Sequence, residues 1–442
     1  MNKEKEMKID ERVVDASYNV GADAGNDSIK LQIGLNKKKN YDNIYCQAVQ
    51  TQIYVNEYGM NRDLDGMLDV TVTSHTADGE PIVSDIYFGD MAKDFKENTV
   101  ERDKGKKHSD GNLITSTVVA IGNYLISDML EKMQNDILLE MEIGEAASAD
   151  EVAKAKANAF EEAKNRIKKE LIIDINLSTG LPYNEYIIDS MANEFKNRFL
   201  GEHIIVFNSP YYPVDKLILN IKSVEISTEG GSALRTALAY KNIKKQYTFD
   251  DLYESAWAMA DIGCYTSDVV SGIFNAINDE EETTNNLRFD NIPTLGTGVV
   301  TGVGTAYDNT IKIVEESLAD TLTNGETITK KDIAKAMKSK TRRGFIRGKR
   351  IDILPYVQPE LIRVGETVGK EFVKLYTKAG YKRNIFKIYL AGGGALIPEV
   401  VEGFTKALKD SNYEVDVIEI LTEPDPVYAN AFGYYLKICN KK

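Results

Sequence analysis

The 442-residue chain carries 54 Lys+Arg against 68 Asp+Glu, a formal net charge of −14 that argues against direct nucleic-acid binding, since phosphate contacts need surplus cations. Its three cysteines, Cys46, Cys264 and Cys439, exclude a disulfide-stapled fold or a thiolate metal site and fit a reducing cytosol. With 43% apolar and 28% charged residues, the composition is that of a globular protein of about two to four domains; no run approaches ~18 consecutive apolar residues, and the opening MNKEKEMKIDE lacks a signal-peptide core, so neither membrane insertion nor export is expected.

Residues 13–35 read as two strands joined by a tight glycine-containing turn, and residues 44–55 as a third, the opening of a β-meander. Residues 68–74 and 81–90 form a further extended pair around the hairpin signal Asp78-Gly79. The charged stretch 91–112, with His108, Asp110 and Gly111, reads as a surface loop or frayed helix. Val118, Ile121, Leu125, Met129, Met133, Ile137 and Met141 then recur at helical spacing, until Gly144 breaks the pattern. Ser148 and Glu151 have capping-box spacing before a second stripe of Val152, Ala155, Ala159, Ala163 and Ile167. A buried strand at 171–182 runs into a turn at Thr179-Gly180-Leu181-Pro182, and strands follow at 203–209, 216–227, 257–263, 268–274 and 386–394. The class is α/β or mixed α+β.

Two strand-turn-strand units share an acidic and glycine signal: Asp23, Gly25, Asn26, Asp27, Ser28 and Lys30, then Asp261, Gly263, Cys264, Tyr265, Thr266 and Asp268. Such a turn is either an ordinary Asp-Gly turn or a phosphate loop. In the second case glycine lets backbone N–H groups approach phosphate oxygens, the Asp offers a hard oxygen to Mg²⁺, and Lys30 offsets phosphate charge. A third element, Ile388 to Ala395, is a strand running into Gly392, Gly393 and Gly394 ahead of a helix that opens with Pro398 and Glu399. It reads equally as a flexible strand-helix turn or as bare backbone for a nucleoside.

Together and in this order the three motifs resemble the nucleotide site of the actin superfamily. Asp261, Gly263, Thr266 and Asp268 match its D-x-G-x-x-T-x-D second phosphate loop, and Asp23, Gly25 and Lys30 match D-x-G-x-x-x-x-K. Tyr87 to Ala92, the Thr179–Pro182 turn, and Asp425 to Gly433 at the last helix are similar to the bacterial plasmid-partitioning actins of the ParM type. The resemblance spans about 18–440 and departs at 131–170, at 280–355, and at the Asn26-Asp27 pair.

The resemblance implies an α/β, actin-like (ribonuclease H-like) fold with two related domains around a nucleotide cleft. Domain I would be 1–228, with a C-terminal helix at about 424–442 packing back on it; domain II would be 229–423, with an insertion at about 280–360. It implies a cytoplasmic, filament-forming ATP or GTP hydrolase for plasmid segregation, bound head-to-tail to itself and to a small DNA-binding adaptor of the ParR kind. Asp23 and Asp261 would hold Mg²⁺ through water, and Glu229, near the first interdomain crossing at 227–231, would orient the attacking water. Gly25 to Ser28, Lys30, Gly263 to Thr266 and Asp268 would serve the phosphates, and Gly392 to Gly394 the nucleoside. An exposed turn is the alternative reading of Glu229, loop support that of Asp268, and a sugar or acetate kinase-like enzyme that of the whole.

Trp257 and Met259 read as core, and His75, His108 and His203 have no metal-ligand spacing. The glycine run 294–304 lacks a Walker ending and favours a mobile connection. The basic stretch 338–350 favours a solvated loop, or a patch for an acidic face of the next subunit, over DNA contact.

Overall fold

The computed structural model describes residues 13–25, 28–35, 53–54, 68–77, 79–88, 106–141, 148–278, 281–317, 328–339, 343–346, 349–378, 385–423 and 425–439. The antiparallel pair β1 (Ala16–Ala24) and β2 (Ile29–Leu35) opens the chain, with Asp23 opposite Lys30. After β3 (Ile53–Tyr54) come β4 (Leu68–Thr76) and β5 (Ile82–Phe88), paired antiparallel as the turn signal predicts, although Asp78 lies outside the described residues. Of the predicted third strand only β3 is described, and it pairs with β5 at the sheet edge far from β2. Asp90 to Ala92 and Gly144 also lie outside the described residues.

Helix α1 (Gly111–Glu140) starts where the Asp110 side chain accepts the Leu113 N–H at 3.1 Å. It is long and apolar enough to cross a membrane, yet most of its apolar stretch is buried in this chain, as a core helix requires. Helix α2 (Ala149–Arg166) has the expected capping box: the Glu151 N–H reaches Ser148 Oγ, and the Ser148 N–H reaches the Glu151 carboxylate. Strand β6 (Glu170–Leu181), short α3 (Tyr183–Tyr186), α4 (Asp189–Phe199), β7 (Gly201–Phe207) and β8 (Lys216–Thr228) complete this half. The strand therefore continues through Leu181, and the turn begins only at Pro182. Sheet order is β2-β1-β6-β8-β7-β4-β5-β3, with β1, β6 and β8 parallel. One face of this sheet carries the core, since the registers put the wholly buried Val20, Ala22, Ile173, Ile175, Leu177 and Leu219 on the same side, while Ile172, Asp174 and Asn176 between them are only partly buried.

Helices α5 (Gly231–Tyr240), α6 (Ile243–Gln246) and α7 (Phe249–Leu252) lead to β9 (Ala256–Ile262) and β10 (Ser267–Ala276). Then come β11 (Leu287–Asn291), β12 (Thr297–Val299), α8 (Val303–Ser317), α9 (Lys330–Lys338), β13 (Arg343–Ile346), β14 (Lys349–Asp352) and α10 (Leu354–Lys378). Strand β15 (Ile385–Ala391), α11 (Pro398–Asp410), β16 (Ile418–Ile420) and α12 (Ala429–Cys439) end the chain. The second sheet runs β11-β10-β9-β15-β16, with β12 also on β10. In both sheets an antiparallel hairpin is followed by two parallel neighbours, β2-β1-β6-β8 in one and β10-β9-β15-β16 in the other. Trp257 and Met259 are core residues, as expected. The basic stretch is not a plain loop: its backbone forms the β13–β14 hairpin after α9.

Helix α12 lies on β1 and β6 of the first sheet and against α5. Close approach makes glycine necessary there, because a Cβ on Gly21 would stand 2.2 Å from the Ala431 carbonyl oxygen.

Candidate active site

The two hairpins are built alike. The Gly25 N–H donates to the Ser28 carbonyl and the Gly263 N–H to the Thr266 carbonyl, both at 3.0 Å. Across each ladder the Asp meets a charged residue, Asp23 facing Lys30 at 3.6 Å and Asp261 facing Asp268. Asn26 and Asp27 lie outside the described residues, and Ser28 is buried.

The second hairpin is braced from behind. Val303 N–H donates to the Gly263 carbonyl at 3.1 Å, Gly304 N–H to the Cys264 carbonyl at 2.6 Å, and Ser267 Oγ to the Thr301 carbonyl at 2.9 Å. With β12 paired to β10, the run 294–304 is this brace, not a mobile connection. The Tyr265 side chain turns to the second sheet's helices, where Lys330 Nζ donates to its hydroxyl and lies 2.8 Å from Asp308. That leaves the Tyr265 backbone, not its phenol, at the turn.

Strand β8 delivers Glu229 to this hairpin. Gly230 follows at φ 70°, and its N–H donates to Asn430 Oδ1 at 3.0 Å, while Asn430 Nδ2 donates to Asp261 Oδ2 at 2.6 Å. Burial pushes the Glu229 carboxyl up, Lys107 pulls it back, and Asp23 and Asp261 raise it again, to about 7. Asp261 is pushed to about 6 by burial and then by Asp23, against Asn430, Lys30 and Lys107. Asp268 is held well above the usual carboxylate range by burial first and by Glu229 second, though it accepts the Tyr183 N–H at 2.8 Å.

Lys107 is the residue that sequence reasoning missed. Its ammonium pairs with Glu229, and its side chain is 8% exposed, so the end of the charged stretch is neither surface loop nor frayed helix. Residues 107–109 form a 3₁₀ turn, and 89–105 lie outside the described residues. The Glu185 carboxylate clamps this turn by accepting the Lys107 N–H at 3.0 Å and the His108 N–H at 2.8 Å, and it lies 2.6 Å from His108 Nδ1. The signal available in sequence was Asp110, a helix cap leading into apolar Leu113 and Ile114, since a chain entering the core there carries its preceding residues inward. Helix α3 also grips the second sheet, because Asn184 and Gly298 exchange amide hydrogen bonds at 3.1 Å.

The glycine loop closes the arrangement. Gly392 sits at φ 77°, and a Cβ on it would stand 2.4 Å from Asp261 Oδ1; Gly394 packs on Ile262, and Gly393 faces open space. All three sequence motifs thus meet at the end of β9. Among the described residues no three His, Cys, Asp or Glu side chains are grouped to ligate a metal directly. Asp23 and Asp261 nevertheless form an oxygen-only pair suited to a hard cation that keeps most of its water, as Mg²⁺ does. His203 is a core histidine, its ring nitrogens 2.9 Å from Ser74 Oγ and 2.8 Å from the Phe199 carbonyl.

The repeated sheet pattern, with paired hairpins meeting at one site, is the actin-like fold. An archaeal actin homologue, Ta0583, superposes with a TM-score of 0.57 over 96% of this chain and 99% of that one, at 13% identity. The subunit of a 15-stranded ParM filament from Clostridium botulinum gives 0.58 over 96% and 99%, at 17% identity. Bacillus thuringiensis ParM with ATP gives 0.51 over 96% and 98%, at 17% identity. No protein-family model and no curated protein sequence matches the chain.

Proposed function

We propose that the chain is a nucleotide-dependent polymerising ATPase of the actin type, working in the cytoplasm to separate plasmid DNA copies. The observation that carries the reading is the pair of like-built Asp-Gly hairpins, with the 12%-exposed Glu229 carboxylate in electrostatic reach of the aspartates of both and a lysine on it. Similarity to a ParM filament subunit and to ParM with ATP supports it. In this reading residues 1–228 with the C-terminal helix, and residues 229–423 with their insertion at 280–360, are two lobes that close on ATP or GTP.

Asp23 and Asp261 hold Mg²⁺ through its waters, and the ion supplies charge neutralisation for the phosphates when bound. Lys30 meets the β/γ-phosphates; Gly25 and Gly263 close their turns with their own N–H groups and leave bare backbone for the phosphates, whose oxygens the N–H groups of Asn26 to Ser28 and Cys264 to Thr266 meet with the Thr266 hydroxyl, and Gly392 to Gly394 flank the nucleoside. Asp268, which holds Tyr183 of α3, supports the loop and couples the lobes. Glu229 orients the attacking water, and Lys107 favours its ionised, accepting form. Subunits associate head-to-tail in a non-closing contact, which generates a filament. A small DNA-binding adaptor of the ParR kind carries the DNA contact that this acidic chain does not make itself.

Sedimentation and light scattering with ATP, GTP or ADP across protein concentration test the proposal. A critical concentration that appears with a triphosphate and rises after hydrolysis is expected. No polymer at any concentration, together with ADP production dependent on a small acceptor, would replace it with a phosphotransferase of the same fold.

A further inference from the structure

Tyr434 of α12 is wholly buried, yet its hydroxyl has no hydrogen-bond partner among the described residues. Burying an unsatisfied hydroxyl is costly, and native structures seldom keep one without a reason. This one is placed at the floor of the acidic site. A Cβ on Gly180 would stand 1.8 Å from Tyr434 Oη, and the β1–β6 register puts Ala22 opposite Thr179, so Asp23 and Gly180 are neighbours across that ladder. Glu229, Asp23, Asp261 and Asp268 all act electrostatically on the phenol. Ser178, two residues back and therefore on the same face of β6, has a second buried hydroxyl with no partner among the described residues. Two unsatisfied hydroxyls under a ring of carboxylates make a polar floor that water can complete, since buried water typically bridges about three polar groups.

We infer that the Tyr434 hydroxyl donates a hydrogen bond to a water molecule beneath Asp23, Asp261 and Glu229, and that this water belongs to the hydration shell of the cation those aspartates hold. The inference rests on the nucleotide reading of the site and adds Tyr434 to it as a positioning residue. A phenol suits the task because it donates without adding another negative charge to a site that already has four carboxyls. Its apolar ring is held in place by the packing of α12 on the first sheet.

The test is Tyr434→Phe in the full chain, which removes one oxygen and keeps the packing. Two measurements are made: urea denaturation without nucleotide or metal, and Mg²⁺ titration of fluorescent ATP-analogue binding. The expected result is a urea midpoint unchanged or higher, because an unpaired hydroxyl has gone, with the Mg²⁺ concentration for half-saturation raised about tenfold and binding in excess chelator unchanged, as loss of one hydrogen bond predicts. A lowered midpoint would mean that the hydroxyl is paired within the protein, and an unchanged Mg²⁺ requirement would mean that it meets no water of the cation; either overturns the inference alone. If the unaltered chain binds no nucleotide with or without Mg²⁺, the reading of the whole site is overturned along with it.

Discussion

Without nucleotide, the chain should grow more stable as pH falls from 8 to 6.5, against the usual behaviour of carboxylates. Glu229 and Asp261 titrate at about 7 and about 6 in the fold, above their ordinary 4.5 and 3.8. In that range the folded state binds more protons than the unfolded one, so acidification favours folding; the cost of ionising these buried groups is fully present above their folded pKa values and withdrawn below them. At about 1.36 kcal/mol per unit, that cost is on the order of 3 kcal/mol for each, taken as independent. Between pH 8 and 6.5 the part returned is about 0.8 kcal/mol through Glu229 and about 0.2 kcal/mol through Asp261. His203, whose imidazole burial holds below its ordinary value of 6.5, works in the opposite sense and takes back up to about 0.4 kcal/mol across the same window, as its unfolded form begins to bind protons. Urea denaturation at several pH values in this window measures the gain. Glu229→Gln keeps the shape and removes this titration, so its gain over the window should be smaller than the wild type's by about 0.8 kcal/mol. A wild-type stability that is flat or falls toward pH 6.5, or a Gln variant that keeps the full gain, would refute the placement of these carboxyls in one buried cluster.

Gly392→Ala forces a Cβ toward Asp261 at a positive φ, and should cost about 1–3 kcal/mol in urea denaturation while abolishing nucleotide binding. Glu185→Gln removes the charge that clamps the Lys107 turn; hydrolysis should slow about tenfold or more with nucleotide affinity retained, as a kcat against KM comparison will read. In a Lys107→Met background the same Gln change should cost almost nothing further, because the clamp acts through Lys107. Ser148→Ala, which breaks the α2 capping box, should cost about 1 kcal/mol of stability and leave nucleotide binding and polymerisation untouched.

What was legible in the sequence is what is local. Each Asp-Gly turn is fixed within six residues by its own ladder and closing hydrogen bond, and the α2 cap within four, so both could be read directly. The glycine run 294–304 was misread because glycine signals either freedom or close approach; a Cβ on Gly302 would stand 2.4 Å from the Cys264 carbonyl oxygen, a contact visible only once the two segments are together. Lys107 was hidden for the same reason, in a charged stretch that looks solvated. Its partner Glu229 lies 122 positions on and its clamp Glu185 lies 78 positions on. Yet charge balance offers a rule that needs no coordinates. A fold that gathers Asp23, Glu229, Asp261 and Asp268 out of water must bring cations with them, since buried charges persist only when paired. Lys30 is one cation delivered by a motif; the stretch before the α1 cap, rich in lysine and leading straight into apolar helix, is where a second could enter. Lysines next to a helix cap that opens onto core residues are therefore the place to look for the missing partner of an acidic nucleotide site.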